Sequence, residues 1–215
     1  MERSEETNIL TIKWKEARFI AEKAQAGRAD QAGKDYYLHA QAVREIVNNM
    51  IFSWYGSGQR YEEFSLKAAI VSLLYNVLED TEMTIKDLQD HNVPYDCINA
   101  IEALAKIDEK DENEYLAKVK SNKLATIVKI AEMKYESDLS RLAAAMPEDS
   151  LRQEQNQRDI KFLSAFQCGR CGSFKHVGEM SGRTTSDERP LCASCVEKYE
   201  LEHDEYEEWI ERRSR

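Results

Sequence analysis

LKAAIVSLLYNVLEDT, residues Leu66–Thr81, decides how the chain is read. Apolar residues recur at Ala69, Ile70, Leu73, Leu74 and Leu78, a spacing that predicts one helix over the stretch. Its far end is polar, with Tyr75, Asn76, Glu79 and Asp80. On a helix Tyr75 shares a face with Glu79, and Asn76 shares one with Glu79 and Asp80, because residues three and four apart are neighbours. A buried helix would then deliver a small polar constellation to one place. The plain alternative is a solvated helix end, although acids at a C-terminus oppose the helix dipole.

Composition sets the frame around that stretch. The 215 residues suffice for one helical domain and a small appendage. Pro (3) and Gly (8) are scarce, so long uninterrupted helices are expected. The net charge of −10 disfavours nonspecific nucleic-acid binding by the whole surface, because phosphate backbones are repelled. No run approaches the roughly 18 apolar residues of a membrane span. The opening MERSEETN lacks both a basic and an apolar segment, so no signal peptide is read and a cytoplasmic location is expected. Disulfides are then a poor explanation for the five cysteines.

Working outward, a first helix is predicted over about Ile9–Ala26, stopped by Gly27, and a second over Tyr37–Trp54 with Val43, Ile46, Val47 and Met50 facing the core. Thr84 and Asp87 have the spacing of a capping box and open a short helix near Ile85–His91. Pro94 suits the first turn of a helix over Tyr95–Lys106, on which Cys97 is a small core residue. IDEKDEN, residues 107–113, reads as a charged loop. Helices over Glu114–Lys120 and Leu124–Ala145 complete the set, with no strand pattern among them.

LLYNVLEDT resembles the LLHD(V/T)(V/I)EDT of HD-domain phosphohydrolases, in particular the (p)ppGpp hydrolases of the RelA/SpoT type. Three further segments carry the resemblance in the same order. AQAGRADQAGKDYYLHA, Ala24–Ala40, is similar to AHxGQxxKxGxPYIxHP. IEALAKID, Ile101–Asp108, is similar to the stretch before that family's charged loop. EYLAKVKSNKLATIVKIAEMKYESDLSRL, Glu114–Leu142, is similar to YxxRVKxNPLAxxVKLADxxxNxDLSRL. The resemblance spans about Ala17–Leu142 and implies an all-α HD-domain helical bundle with a central pocket.

It also implies where a divalent cation would be held: His39, Tyr75, Asn76 and Glu132. His39 and an acid at 132 are kept, but Tyr75 stands for the metal-binding His and Asn76 for the Asp. A phenol binds a cation well only after losing a proton at a pKa near 10, and a neutral amide is a weak ligand. No divalent catalytic metal is therefore expected in the pocket. Glu79 and Asp80, which position the attacking water in the family, are kept, as are Lys129 and Asp138. Gln25 replaces a His, Glu136 replaces an Asn near the substrate, and Asp30 and Gln31 stand where a basic pair often meets the nucleotide. Losing that basic charge disfavours a polyanionic ligand. His39 without its partners also reads as a hydrogen-bonded packing residue, with Tyr75 and Asn76 filling the metal's space.

A second motif follows a polar connecting segment. Cys168-Gly-Arg-Cys171 and Cys192-Ala-Ser-Cys195 form CxxC, about twenty residues, CxxC, the spacing of a structural zinc site. Four thiolates close a tetrahedral shell, and the metal would supply folding energy that so short a segment cannot draw from a core. The second pair runs into a helix-forming stretch, which resembles treble-clef and zinc-ribbon fingers. Arg170, Lys175, His176, Arg183 and Arg189 could form a small nucleic-acid face, but the acidic stretch after them, with Trp209 as an anchor, fits a protein-binding adapter better.

The expected organisation is an HD-like domain over 1–146, a connecting helix over 147–167, and a four-cysteine zinc finger with an acidic helix over 168–215. The expected function is a catalytically degenerate binding or regulatory module. It would contact a protein partner and hold, at most, a nucleotide-like or peptide ligand in the old pocket. The alternatives are an active metal-dependent phosphohydrolase on (p)ppGpp or a related nucleotide, and a nucleic-acid-associated adapter acting through the finger.

Overall fold

The computed structural model describes residues 4–55, 59–106, 111–168, 170, 174–176, 179–184 and 190–198. Contacts divide the chain into two units, Met1–Leu163 and Ser164–Arg215. Among the described residues the first unit is all-helical. Its elements are α1 (Glu5–Ala24), α2 (Tyr36–Tyr55), α3 (Gln59–Leu74), α4 (Val77–Asp80), α5 (Ile85–Asp90), α6 (Tyr95–Leu104), α7 (Glu112–Ser121), α8 (Lys123–Glu136), a 3-10 turn at Leu139–Arg141, and α9 (Pro147–Ser164).

The centre is α3, packed against α1, α2, α6 and α8. Ile70, Val71, Leu73 and Leu74 on it are fully buried, and Ala17, Val43, Val47, Ile101, Ile127 and Val128 close around them from the neighbouring helices. Burying each large aliphatic side chain contributes about 1.5–3 kcal/mol, so this packing outweighs any single polar contact in the unit. Cys97 is fully buried on α6, as a core residue.

The helix ends follow the side chains that satisfy them. Ser4 Oγ accepts from Thr7 N at 3.1 Å, so α1 begins four residues before the predicted start. The Thr84–Asp87 capping box forms with both bonds in place. Asp111 accepts from Asn113 N and Glu114 N, which draws Glu112 and Asn113 out of the predicted loop and into α7. Pro94 sits at the cap of α6 rather than in its first turn. Gly27, at φ 79°, takes the left-handed conformation after α1 that a side chain would resist.

Two predicted helices are shorter than the sequence pattern. Leu66–Thr81 is not one helix: α3 stops at Leu74, Tyr75 and Asn76 form a turn, and α4 resumes at Val77. The turn directs the Tyr75 hydroxyl and the Asn76 amide into buried polar contacts. It also shifts the phase of the helix, so Leu78 is only half-buried. The late helix ends at Glu136 instead of Ala145, because Ser137 closes α8 and Asp138 caps a separate 3-10 turn.

In the second unit, β1 (Ala165–Gln167) pairs antiparallel with β2 (Phe174–His176), and β3 (Met180–Thr184) with β4 (Pro190–Cys192). Residues 165–167 are thus a strand where the sequence suggested helix to its end. Helical turns follow β4 over 193–198. Cys168 and Cys192 are buried, with Phe166, Leu191 and Cys195 packed on them.

Candidate functional site

The turn between α3 and α4 places Tyr75 and Asn76 beside groups from α1, α2 and α8. His39, in the first turn of α2, is 4% exposed, and its Nε2 lies 2.8 Å from the Tyr75 hydroxyl. The Tyr36 ring stacks on the His39 ring at 4.8 Å, and the Tyr135 ring meets it edge-on at 4.6 Å. Burial pulls the His39 imidazole below its ordinary pKa, although Glu132 and Asp30 pull the other way. Burial pushes the Tyr75 phenol well above its ordinary value, with Glu132 adding to the shift, and pushes Tyr36 up to about 12. Tyr75 therefore stays a phenol and His39 a neutral imidazole at neutral pH.

Asn76 is held from both sides. Gln25 Nε2, at the end of α1, donates to its Oδ1 at 2.8 Å. Asn76 Nδ2 donates in turn to Asp80 Oδ2 at 2.7 Å, one helical turn on. Asp80 Oδ1 is 3.2 Å from Arg28 Nη2. On α8, Glu132 Oε2 lies 2.7 Å from Lys129 Nζ. Burial works against the Lys129 charge, but Glu132 and Tyr115 outweigh it and hold the ammonium above its ordinary pKa. Glu136 follows Glu132 by one turn, and burial together with Glu132 raises its pKa.

The structure therefore brings His39 and Tyr75 into contact and ties Asn76 to Asp80. Glu132 and Glu136 lie on the same face of α8 and act electrostatically on Tyr75. Glu79 is apart: it is exposed, and its Oε2 accepts from Lys106 N at 3.3 Å. Sequence reasoning missed two participants, Arg28 and Arg141, and misread the role of a third, Asp30. Asp30 does not merely remove a basic charge; its side chain is 2% exposed and pairs with Arg141 Nη1 at 3.3 Å. Arg28 brings positive charge to Asp80, and its guanidinium lies 5.5 Å from the Tyr36 ring centre. Arg141 lies 4.6 Å from the Tyr135 ring centre. Residues 28 and 30 share one loop, but their partner at 141 is too distant in sequence for periodicity to reveal.

A divalent cation placed among these donors would meet groups that already have partners. His39 Nε2 is engaged by the Tyr75 hydroxyl, whereas His39 Nδ1 has no hydrogen-bond partner. The Asn76 oxygen accepts from Gln25, and Glu132 Oε2 is ion-paired with Lys129 at 2.7 Å, though without hydrogen-bond geometry. Each of those partners would have to be displaced before a hard cation gained the engaged atom as a ligand.

In the second unit the Sγ atoms of Cys168, Cys192 and Cys195 lie within 4.8 Å of one another. The Cys192 backbone N–H donates to Cys168 Sγ at 3.4 Å, a contact that favours thiolate. These thiols fit a metal shell, since tetrahedral Zn–S bonds put the sulfurs about 3.8 Å apart. Cys171 lies outside the described residues, as do the side chain of Arg183 and residues Arg189, His203 and Trp209. His176 is exposed. Arg170 Nη1 donates to Cys195 O at 3.5 Å, and Lys175 pairs with Glu179 at 3.4 Å.

The first unit is an all-α helical bundle. Among solved structures the chain is similar to a metazoan ortholog of SpoT that hydrolyses ppGpp and plays a role in starvation responses. The TM-score is 0.54 at 15% identity, covering 70% of this chain and 84% of that one. At that identity the likeness is one of fold. No family model and no curated protein matches the chain. Among the described residues no helix is long and apolar enough to cross a membrane.

Proposed function

We propose that this chain is a non-catalytic binding or regulatory module built on the fold of a (p)ppGpp hydrolase, carrying a structural zinc finger. The observation that carries the reading is the 2.8 Å contact between the Tyr75 hydroxyl and His39 Nε2. A phenol with a raised pKa occupies the imidazole that a metal would need, and three acid–base pairs neutralise most of the surrounding charge. Water activation by a bound cation has no ligand set to rest on. The second unit supports a zinc ion held by Cys168, Cys192 and Cys195 with Cys171 as the fourth thiolate, and a finger of this kind serves protein contacts in a reducing, cytoplasmic setting.

The test is turnover. The full chain is incubated with ppGpp and Mn²⁺ or Mg²⁺, and products are separated by anion-exchange chromatography. Intact ppGpp after prolonged incubation is the expected result. Release of GDP and pyrophosphate, lost on Glu132→Ala, would establish the hydrolase reading instead.

A further inference from the structure

We infer that the outward face of α1 pairs with α1 of a second copy of this chain, antiparallel about a two-fold axis level with Trp14. None of the residues on that face belongs to the pocket or to the cysteine cluster.

Glu5, Ile9, Ile12, Glu16, Phe19 and Lys23 follow one another at intervals of four, three, four, three and four residues. That is the a/d repeat of a helix-pair seam, and α1 is helical over all of it. The opposite face carries Thr7, Leu10, Ala17 and Ala21, which are buried, and α1 packs on α3. The outward seam is open to solvent: Ile9 is 50% exposed, Ile12 56% and Phe19 58%. Single exposed apolar side chains are ordinary on a protein surface, but three along one stripe of one helix mark a contact face. Ile12 and Phe19 also form one wall of an open groove of about 530 Å³. Its other wall is Asp90, His91 and Asn92 at the end of α5, so an incoming side chain has a recess to enter.

The charges select the occupant and its direction. Glu5 lies in the first turn of α1 and Lys23 in the last, and both are exposed. Across a two-fold axis, each residue that meets another is met by it in return. With the axis level with Trp14, Glu5 faces Lys23 of the second copy at both ends of the seam. Ile9 then faces Phe19, and Ile12 faces Glu16, so every a position meets a d position. Parallel pairing would instead set Glu5 against Glu5, Glu16 against Glu16 and Lys23 against Lys23, all like charges. Lys23 Nζ lies 4.4 Å from the Phe19 ring centre, so its ammonium already sits over the seam. Glu16 brings its own counter-ion to Ile12, with Lys13 Nζ at 2.8 Å. Ile9, Ile12 and Phe19 are a small apolar contribution from each copy, so the dimer is a weak one that dissociates on dilution.

The experiment is sedimentation velocity on the full chain in reducing buffer. Loading concentrations run from below to well above about 10 μM, the weak affinity that one short seam allows. The mass is expected to rise from monomer to dimer across the series. Ile12→Glu and Phe19→Ser, each at an exposed position, should leave the chain monomeric throughout, with unchanged helical circular dichroism. Glu5→Lys or Lys23→Glu alone should weaken the dimer about tenfold, because like charges then meet at both ends. The chain carrying both reversals should recover the wild-type affinity to within about threefold, because opposite charges meet again. A monomer at every concentration would overturn the inference and leave the face to a helix of another protein. A dimer untouched by Ile12→Glu and Phe19→Ser, or one that the double reversal does not restore, would overturn it equally.

Discussion

The Tyr75 hydroxyl and His39 Nε2 are 2.8 Å apart, and both groups are almost wholly buried. A turn after α3 is what lets a residue read as helical reach across to the start of α2. The contact is a neutral hydrogen bond between buried groups, and removing it should lower the stability of the bundle measurably.

Tyr75→Phe removes one hydroxyl and strands a buried imidazole nitrogen. The expected loss is about 1–3 kcal/mol of unfolding free energy, the cost of an unsatisfied buried polar group. Urea unfolding of wild type and variant checks it, with the slope unchanged if the denatured state is unaffected.

Acid should destabilise the bundle through His39. Its folded pKa lies below the unfolded value, so the unfolded chain binds a proton first as pH falls. The contribution is fully present above about pH 6.5 and is lost as pH falls through the folded pKa. Glu136, whose folded pKa is raised, works oppositely: its contribution is lost as pH rises through its folded value. Comparing wild type with His39→Gln isolates the histidine term. Wild type should lose more stability than the variant between about pH 6.5 and 5. Parallel curves would remove His39 from the account.

Much of the bundle is legible in the sequence, because its helices are amphipathic and carry their own stops. Ile70, Leu73 and Leu74 announce the central helix, and Thr84 with Asp87 announces a cap that forms as expected. What local pattern cannot reveal is which polar residues prefer a distant partner to the helix. Tyr75 and Asn76 fit the period of Leu66–Thr81, yet His39 and Gln25 draw them into a turn. Asp30 looked like lost basic charge, and only the fold brings Arg141 to it. The four-cysteine pattern was legible because metal spacing is local, and three of the four sulfurs are gathered.

Asn122 offers a check on that local reading. Its Oδ1 accepts from Ala125 N at 3.1 Å at the start of α8, the helix that carries Glu132 and Glu136. Asn122→Ala should cost about 1 kcal/mol, as N-cap removal does. Thermal melts by circular dichroism would show the lowered midpoint.

Zinc should be present at one ion per chain by atomic emission. Cys168→Ser or Cys192→Ser should each release it, since loss of one thiolate opens the shell. The metal should not change on His39→Gln, because the thiols belong to the second unit. A zinc content that followed His39 would contradict the assignment of the two sites.

The most direct measurement is a Mn²⁺ titration followed by electron paramagnetic resonance, in which free ion gives a sharp signal that binding removes. With the finger loaded with zinc, wild-type chain should leave the free-ion signal intact, and Tyr75→His with Asn76→Asp should begin to deplete it. Depletion by the wild type at one ion per chain, abolished by Glu132→Ala, would contradict the account.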